Sequence, residues 1–185
     1  LGKTELKVES HGHWMIKGVT DPIELFEVGA QETRMVAPHD SEKVYRVIKA
    51  GDWWLPVKDI PNNLPQSGTS FIGREREIDE VKSLLPHTRL LTMLGMGGLG
   101  KTRLSLQVAA EVIHQYPDGA WFLDLAPISD PALVISEAAQ VLGVREEPER
   151  PLIQSICAHL KPSRVLLIFD NCEHLIKPCA DLSKI

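Results

Sequence analysis

Hydrophobic positions along the chain follow two different periods, and the change falls near residue 70. In "HWMIKGVTDPIELFEVG", short β-like runs at 14–16 and 23–28 flank a turn containing Gly18, Asp21 and Pro22, which predicts a hairpin. The next stretch, "AQETRMVAPHDSE", is polar and carries Pro38, as a connector does. "KVYRVIKAGDWWLPV" then offers two further strands around Ala50, Gly51 and Asp52. The loop "PNNLPQSGTS", rich in proline and small polar residues, marks a domain boundary, with the second domain under way by Ser70.

Beyond that loop, helical and strand-like patterns alternate. In "REREIDEVKSLL", Ile78, Val81, Leu84 and Leu85 share one helical face, opposite the charges. "RLLTML" reads as a buried strand. After a run of glycines, Leu104, Val108, Ile113 and the alanines between them predict a helix, and "GAWFLDLA" a second buried strand. Helical patterns occupy 131–142 and 151–160, and "SRVLLIFDN" is a third apolar strand that ends in polar residues. "EHLIKPCADLSKI" opens a further helix. The alternation predicts an α/β domain with a parallel sheet flanked by helices. Because the chain begins at Leu1 and stops inside a new helical pattern, it is expected to be a piece of a longer protein, its sheet incomplete and its edges unpaired.

Composition adds exclusions. The chain has 20 Lys and Arg against 25 Asp and Glu, a net charge of −5. Residues 1–60 hold 8 basic and 10 acidic side chains, which leaves 12 and 15 for the rest. Neither part has the basic footprint of a surface that neutralises a phosphate backbone, so this segment is not expected to bind nucleic acid. No apolar run approaches the roughly 20 residues of a membrane helix, and no signal-like leader is present, so the segment reads as cytoplasmic, with no membrane partner. Cys157, Cys172 and Cys179 form no CxxC pair and read as reduced thiols.

The chemistry concentrates in "GMGGLGKT". Gly95, Met96, Gly97, Gly98, Leu99, Gly100, Lys101 and Thr102 fit G-x-x-x-x-G-K-[ST] without a mismatch. Backbone N–H groups must converge on a phosphate, and side chains at Gly97, Gly98 and Gly100 would obstruct them. Lys101 would reach the β- and γ-phosphates, the Thr102 hydroxyl would ligate Mg²⁺, Arg103 joins the loop as a nucleotide-binding residue, and the following helix adds its positive end. A bare turn between strand and helix, with Lys101 a solvated charge, is the competing reading. The strand before the loop and the helix after it favour nucleotide. Asp170, at the end of the strand in "RVLLIFDN", sits where α/β sheets bind ligands; capping of the next helix is the competing reading, and an apolar strand ending in Asp after such a loop favours a hold on Mg²⁺ through water. Many hydrolysing ATPases follow that aspartate with a glutamate. Here Asn171 follows, whose amide can orient water but cannot accept its proton. Glu173 nearby reads as a helix-entry residue. Slow or no turnover is therefore expected, with an active ATPase as the alternative.

"FIGREREIDEV", "GMGGLGKTRL", "WFLDLAPISDP" and "LLIFDNCEHL", in this order, resemble the nucleotide-binding domain of bacterial signal-transduction ATPases of the STAND type, related to NB-ARC and AAA ATPases. The resemblance covers 64–182 and implies a P-loop NTPase domain over 64–185, truncated at its C-terminal side. It implies ATP or ADP with Mg²⁺ as cofactors, and an adenine side formed by Phe71, Ile72, Gly73 and Arg74. It also implies a switch in which ADP holds a resting form and ATP permits opening or oligomerisation, completed by lid and repeat domains downstream.

"HGHWMIKGVTDPIELFEVG" is similar to the final hairpin of class III adenylate and guanylate cyclase domains. That implies a cyclase-like end over 1–28, a linker with a small β element over 29–63, and an upstream catalytic domain in the longer protein. Lys17 matches a lysine of that family, whereas Val19 stands where many members have a second. His11 and His13 could share a strand face but lack a third metal ligand. This piece alone is expected to make no cyclic nucleotide. The tail of an active cyclase remains an alternative role for the chain.

Overall fold

The computed structural model describes residues 6–31, 33, 36–66 and 71–184. They form two compact units, Leu1–Ile60 and Pro61–Ile185. The expected start of the second domain near Ser70 lies outside the described residues.

The first unit is one antiparallel sheet of four strands. β1 (Leu6–Ile16), β2 (Ile23–Ala30), β3 (Val44–Ala50) and β4 (Trp53–Pro56) are ordered β2-β1-β3-β4. The predicted hairpin is therefore longer than its apolar runs, since Leu6, Val8 and Ser10 continue the alternation toward the N-terminal end. The β element expected within the linker adds β3 and β4 to the same sheet, with Met15 paired to Tyr45 and Ile48 to Leu55. A break in register between Ser10 and His13 accommodates a bulge at Gly12. Trp14, Val47, Leu55 and Ile60 are buried, and the Trp14 indole N–H donates to the carbonyl of His11 at 3.0 Å. His11 is buried with its ring 2.8 Å from Glu27, and His13 lies against Trp54 with ring centroids 4.9 Å apart.

The second unit is α/β. α1 (Glu75–Leu84), α2 (Lys101–Val112), β5 (Ala120–Asp124), α3 (Leu133–Leu142), α4 (Leu152–Leu160), β6 (Leu166–Asp170) and α5 (Ile176–Leu182) follow in order. β5 and β6 pair in parallel and in register, Ala120 with Leu166 through Asp124 with Asp170. Leu166 packs toward Ile78, Leu104, Val108 and Val112 of α1 and α2, while Leu167 and Phe169 pack into the cluster built on α3, α4 and α5. The two-residue period of the strand thus feeds both faces, with helices on each.

Three expectations change. "RLLTML" at 89–94 forms no strand, and Leu90 and Leu94 are exposed. A strand exists through its ladder, and among the described residues the parallel sheet has only β5 and β6, neither of which pairs with this run. Leu84, assigned to the apolar face of α1, is likewise exposed, leaving Ile78, Val81 and Leu85 to make the contact with α2. The second unit also begins before residue 64. Pro61–Asn63 run beside β5, with an Asn62–Ala120 bridge, and both Asn63 side-chain groups bond to Phe122.

Candidate functional site

The glycine loop 95–100 lies between the run 89–94 and α2, and its geometry follows from its composition. Gly98 and Gly100 take φ of 79° and 72°, left-handed values that side chains disfavour. Gly100 is the residue before the first turn of α2, and its carbonyl accepts from the N–H of Leu104 at 2.9 Å. The loop is exposed, with its N–H groups at the positive end of a 12-residue helix.

Lys101 opens that helix, and its Nζ turns back over the loop, donating to the carbonyls of Gly95 at 2.8 Å and Met96 at 3.1 Å. The ammonium is therefore held over the loop's own backbone, at the place where the motif puts phosphate. Thr102, one residue on, donates its hydroxyl to Oδ2 of Asp170 at 2.7 Å. Residues 68 positions apart in sequence meet because α2 and β6 share the core cluster of Ile78, Leu104 and Val108. A hydroxyl and a carboxylate are hard oxygen donors, the type Mg²⁺ takes, and Thr102 and Asp170 are the residues that would hold it. Among the described residues no three His, Cys, Asp or Glu side chains gather into a metal cluster.

The residues expected on the adenine side divide. Arg74, at φ 63° just before α1, donates Nη1 to the carbonyl of Leu99 at 2.8 Å and pairs through Nε with Glu77 at 3.1 Å. It thereby ties the start of α1 to the loop. The Glu77 carboxyl is held below its ordinary range, first by its own backbone N–H and then by Arg74. Phe71 lies under the Arg103 guanidinium, 5.5 Å from ring centre to Cζ. Gly73 follows with φ 82°. Ile72 is 89% exposed and packs against none of these groups' core.

Asn171 takes φ 55° and donates its Nδ2 to Asp124 Oδ1 at 3.1 Å and to Asp170 Oδ2 at 3.3 Å. Asp124 lies outside the sequence motifs that point to the loop and to Asp170. A signal was present, because "AWFLD" and "LLIFD" are two apolar strands of equal length that end in the same residue, and parallel pairing in register sets those ends side by side. Glu173 is exposed and precedes α5, whereas its neighbour His174 has its Nε2 2.7 Å from the carbonyl of Ile128.

A phosphate-type loop facing a strand-end carboxylate, on a parallel sheet with helices over both faces, defines a P-loop nucleotide-binding protein. Within that class, residues 74–174 match the NB-ARC domain family, and the chain belongs to it. It is 39% identical over 112 residues to the uncharacterized protein Rv0894 of Mycobacterium tuberculosis, covering 60% of this chain and 28% of that protein. It is 40% identical over 102 residues to the putative HTH-type transcriptional regulator Rv0890c of the same organism, covering 55% of this chain and 11% of the regulator. Against the regulatory protein AfsR of Streptomyces griseus the identity is 27% over 124 residues, 60% of this chain and 13% of AfsR. The chain therefore spans less than a third of the length of each. No solved structure gives a significant match. Among the described residues, no helix is long and apolar enough to cross a membrane.

Proposed function

We propose that the chain is the ATP- or ADP-binding switch module of a multidomain bacterial regulator, with slow or no hydrolysis. The observation that carries this reading is the Thr102–Asp170 hydrogen bond beside Lys101, since it joins the loop to the strand end in one hydroxyl–carboxylate pair. Phosphates would replace the Gly95 and Met96 carbonyls as partners of Lys101, and the loop N–H groups would take the phosphate oxygens. Mg²⁺, when bound, supplies charge neutralisation between those oxygens. Arg74 holds Leu99, and so the loop, against the start of α1. Asn171 spends its amide N–H groups on two aspartates and offers no base, which supports a holding role over rapid turnover. The names of two relatives, a transcriptional regulator and a regulatory protein, support an output in regulation.

The test is nucleotide content and affinity. Purified protein denatured and chromatographed should release ADP or ATP, and Lys101→Ala should lower nucleotide affinity by about 100-fold or more, the loss of a charge-assisted phosphate contact worth about 3 kcal/mol. Unchanged binding in that variant argues against the reading. Turnover well above one per minute, abolished by Lys101→Ala, would instead favour an active ATPase.

A second proposal concerns the first unit. Leu6, Val8, Phe26 and Val28 lie exposed on the β1–β2 hairpin, whose strands meet at the Lys17–Gly18 turn. This supports the reading of that hairpin as the end of a cyclase-like domain in the longer protein. Cyclic-nucleotide synthesis assayed on the longer polypeptide tests it, and a polypeptide lacking two upstream metal-binding aspartates would count against it.

A further inference from the structure

Asp124 lies beside the Thr102–Asp170 pair. It ends β5 where Asp170 ends β6, as in-register neighbours. One amide group spans the two, Asn171 Nδ2 donating to Asp124 Oδ1 at 3.1 Å and Asp170 Oδ2 at 3.3 Å. Asp124 Oδ1 also accepts from the N–H of Ala126 at 3.0 Å, which fixes the carboxylate to its own strand exit. The N–H of Leu125 in turn donates to the carbonyl of Asp170 at 3.1 Å, tying that exit to β6. The left-handed backbone at Asn171, a conformation asparagine tolerates better than most residues, turns its amide back between the strand ends. A side chain with two N–H donors on one nitrogen suits this place, since it can serve both carboxylates at once. The Asp124 side chain is exposed, so removing it opens no cavity in the core.

We infer that Asp124 is a positioning residue. Through the Asn171 amide it sets the orientation in which Asp170 meets Thr102, and so controls how tightly the chain takes nucleotide together with Mg²⁺. This rests on the nucleotide reading given above. A carboxylate free to rotate must be ordered each time the ion binds, whereas one held by an outer hydrogen bond is already in place.

The test is a fluorescence titration of the 185-residue chain with mant-ATP, once with Mg²⁺ and once with EDTA. Asp124→Ala is expected to weaken binding about tenfold with Mg²⁺ while leaving the EDTA affinity within about twofold, as removal of an outer partner of a metal-binding carboxylate does. Asp124→Asn keeps an oxygen acceptor for Asn171 and Ala126, and should restore the wild-type affinities. An unmoved Mg²⁺ affinity in Asp124→Ala, an equal loss in both buffers, or failure of Asp124→Asn to restore binding overturns the inference. Wild-type protein that binds in neither buffer overturns the nucleotide reading itself. Independently of nucleotide, the side-chain amide resonances of Asn171 should shift in Asp124→Ala, and resonances that stay put show that the bridge is absent.

Discussion

At the scale of single residues, the second unit separates groups that face solvent chemistry from groups that the fold makes inert. Cys179 belongs to the second kind. It is buried in the α3–α5 cluster, and burial first, then the neighbouring Cys172, pushes its thiol from an ordinary value near 9.0 up to about 11. The neutral thiol is thus favoured in the folded state. A group whose folded pKa is raised stabilises the fold fully below its unfolded pKa and loses that contribution as pH climbs through the folded one, here between about 9.0 and 11. Unfolding free energy followed by urea titration should therefore fall across that window, and Cys179→Ala should flatten the fall. At pH 8, iodoacetamide should label Cys157, which is only half-buried, well before Cys179, as read by peptide mass. Equal labelling rates would show that the thiol is accessible and ionised, against its burial.

Among the elements, strand β5 shows how much of the fold the sequence carries and where it stops. The apolar runs of β5 and β6, the faces of α1 and α2, and the glycine loop all follow from period and turn chemistry, because each depends on residues within a dozen positions. The segment 89–94 does not, since its apolar run defines a strand only if another strand accepts its ladder, and periodicity cannot supply that partner. The meeting of Thr102 with Asp170 was legible from the motif, whereas the bridge through Asn171 to Asp124 depends on the register of β5 against β6, which no local pattern states. By composition alone the loop "PNNLP" is a boundary. Its Asn63 instead closes the outer edge of β5, donating Nδ2 to the carbonyl of Phe122 at 2.9 Å and accepting the Phe122 N–H at 2.6 Å. A single side chain that mimics a strand residue protects an otherwise open edge. Asn63→Ala should cost about 1–2 kcal/mol, two net hydrogen bonds at a partly solvated edge, and should raise hydrogen exchange at the Phe122 amide above that of its neighbours. A stability within error of wild type would mean that water replaces the side chain without loss.

For the molecule as a whole, surface chemistry sets its behaviour in solution. Leu6, Val8, Phe26 and Val28 of the first unit are exposed, as are Leu90, Leu94 and Met96 of the second. Exposed apolar clusters of this kind favour association, and at neutral pH the opposing term is a net charge of −5. That charge vanishes at the isoelectric point near 5.8. Repulsion is lost over barely more than one pH unit while the apolar surface is unchanged. Light scattering should accordingly peak near pH 5.8 and fall toward pH 8, and added salt at pH 7, by shortening the screening length, should move it part of the way up. Replacing Val8 and Phe26 together by lysine should lower the peak if apolar contact drives it. Scattering that is flat from pH 5 to 8, or a peak that the double substitution leaves in place, would assign the association to another surface.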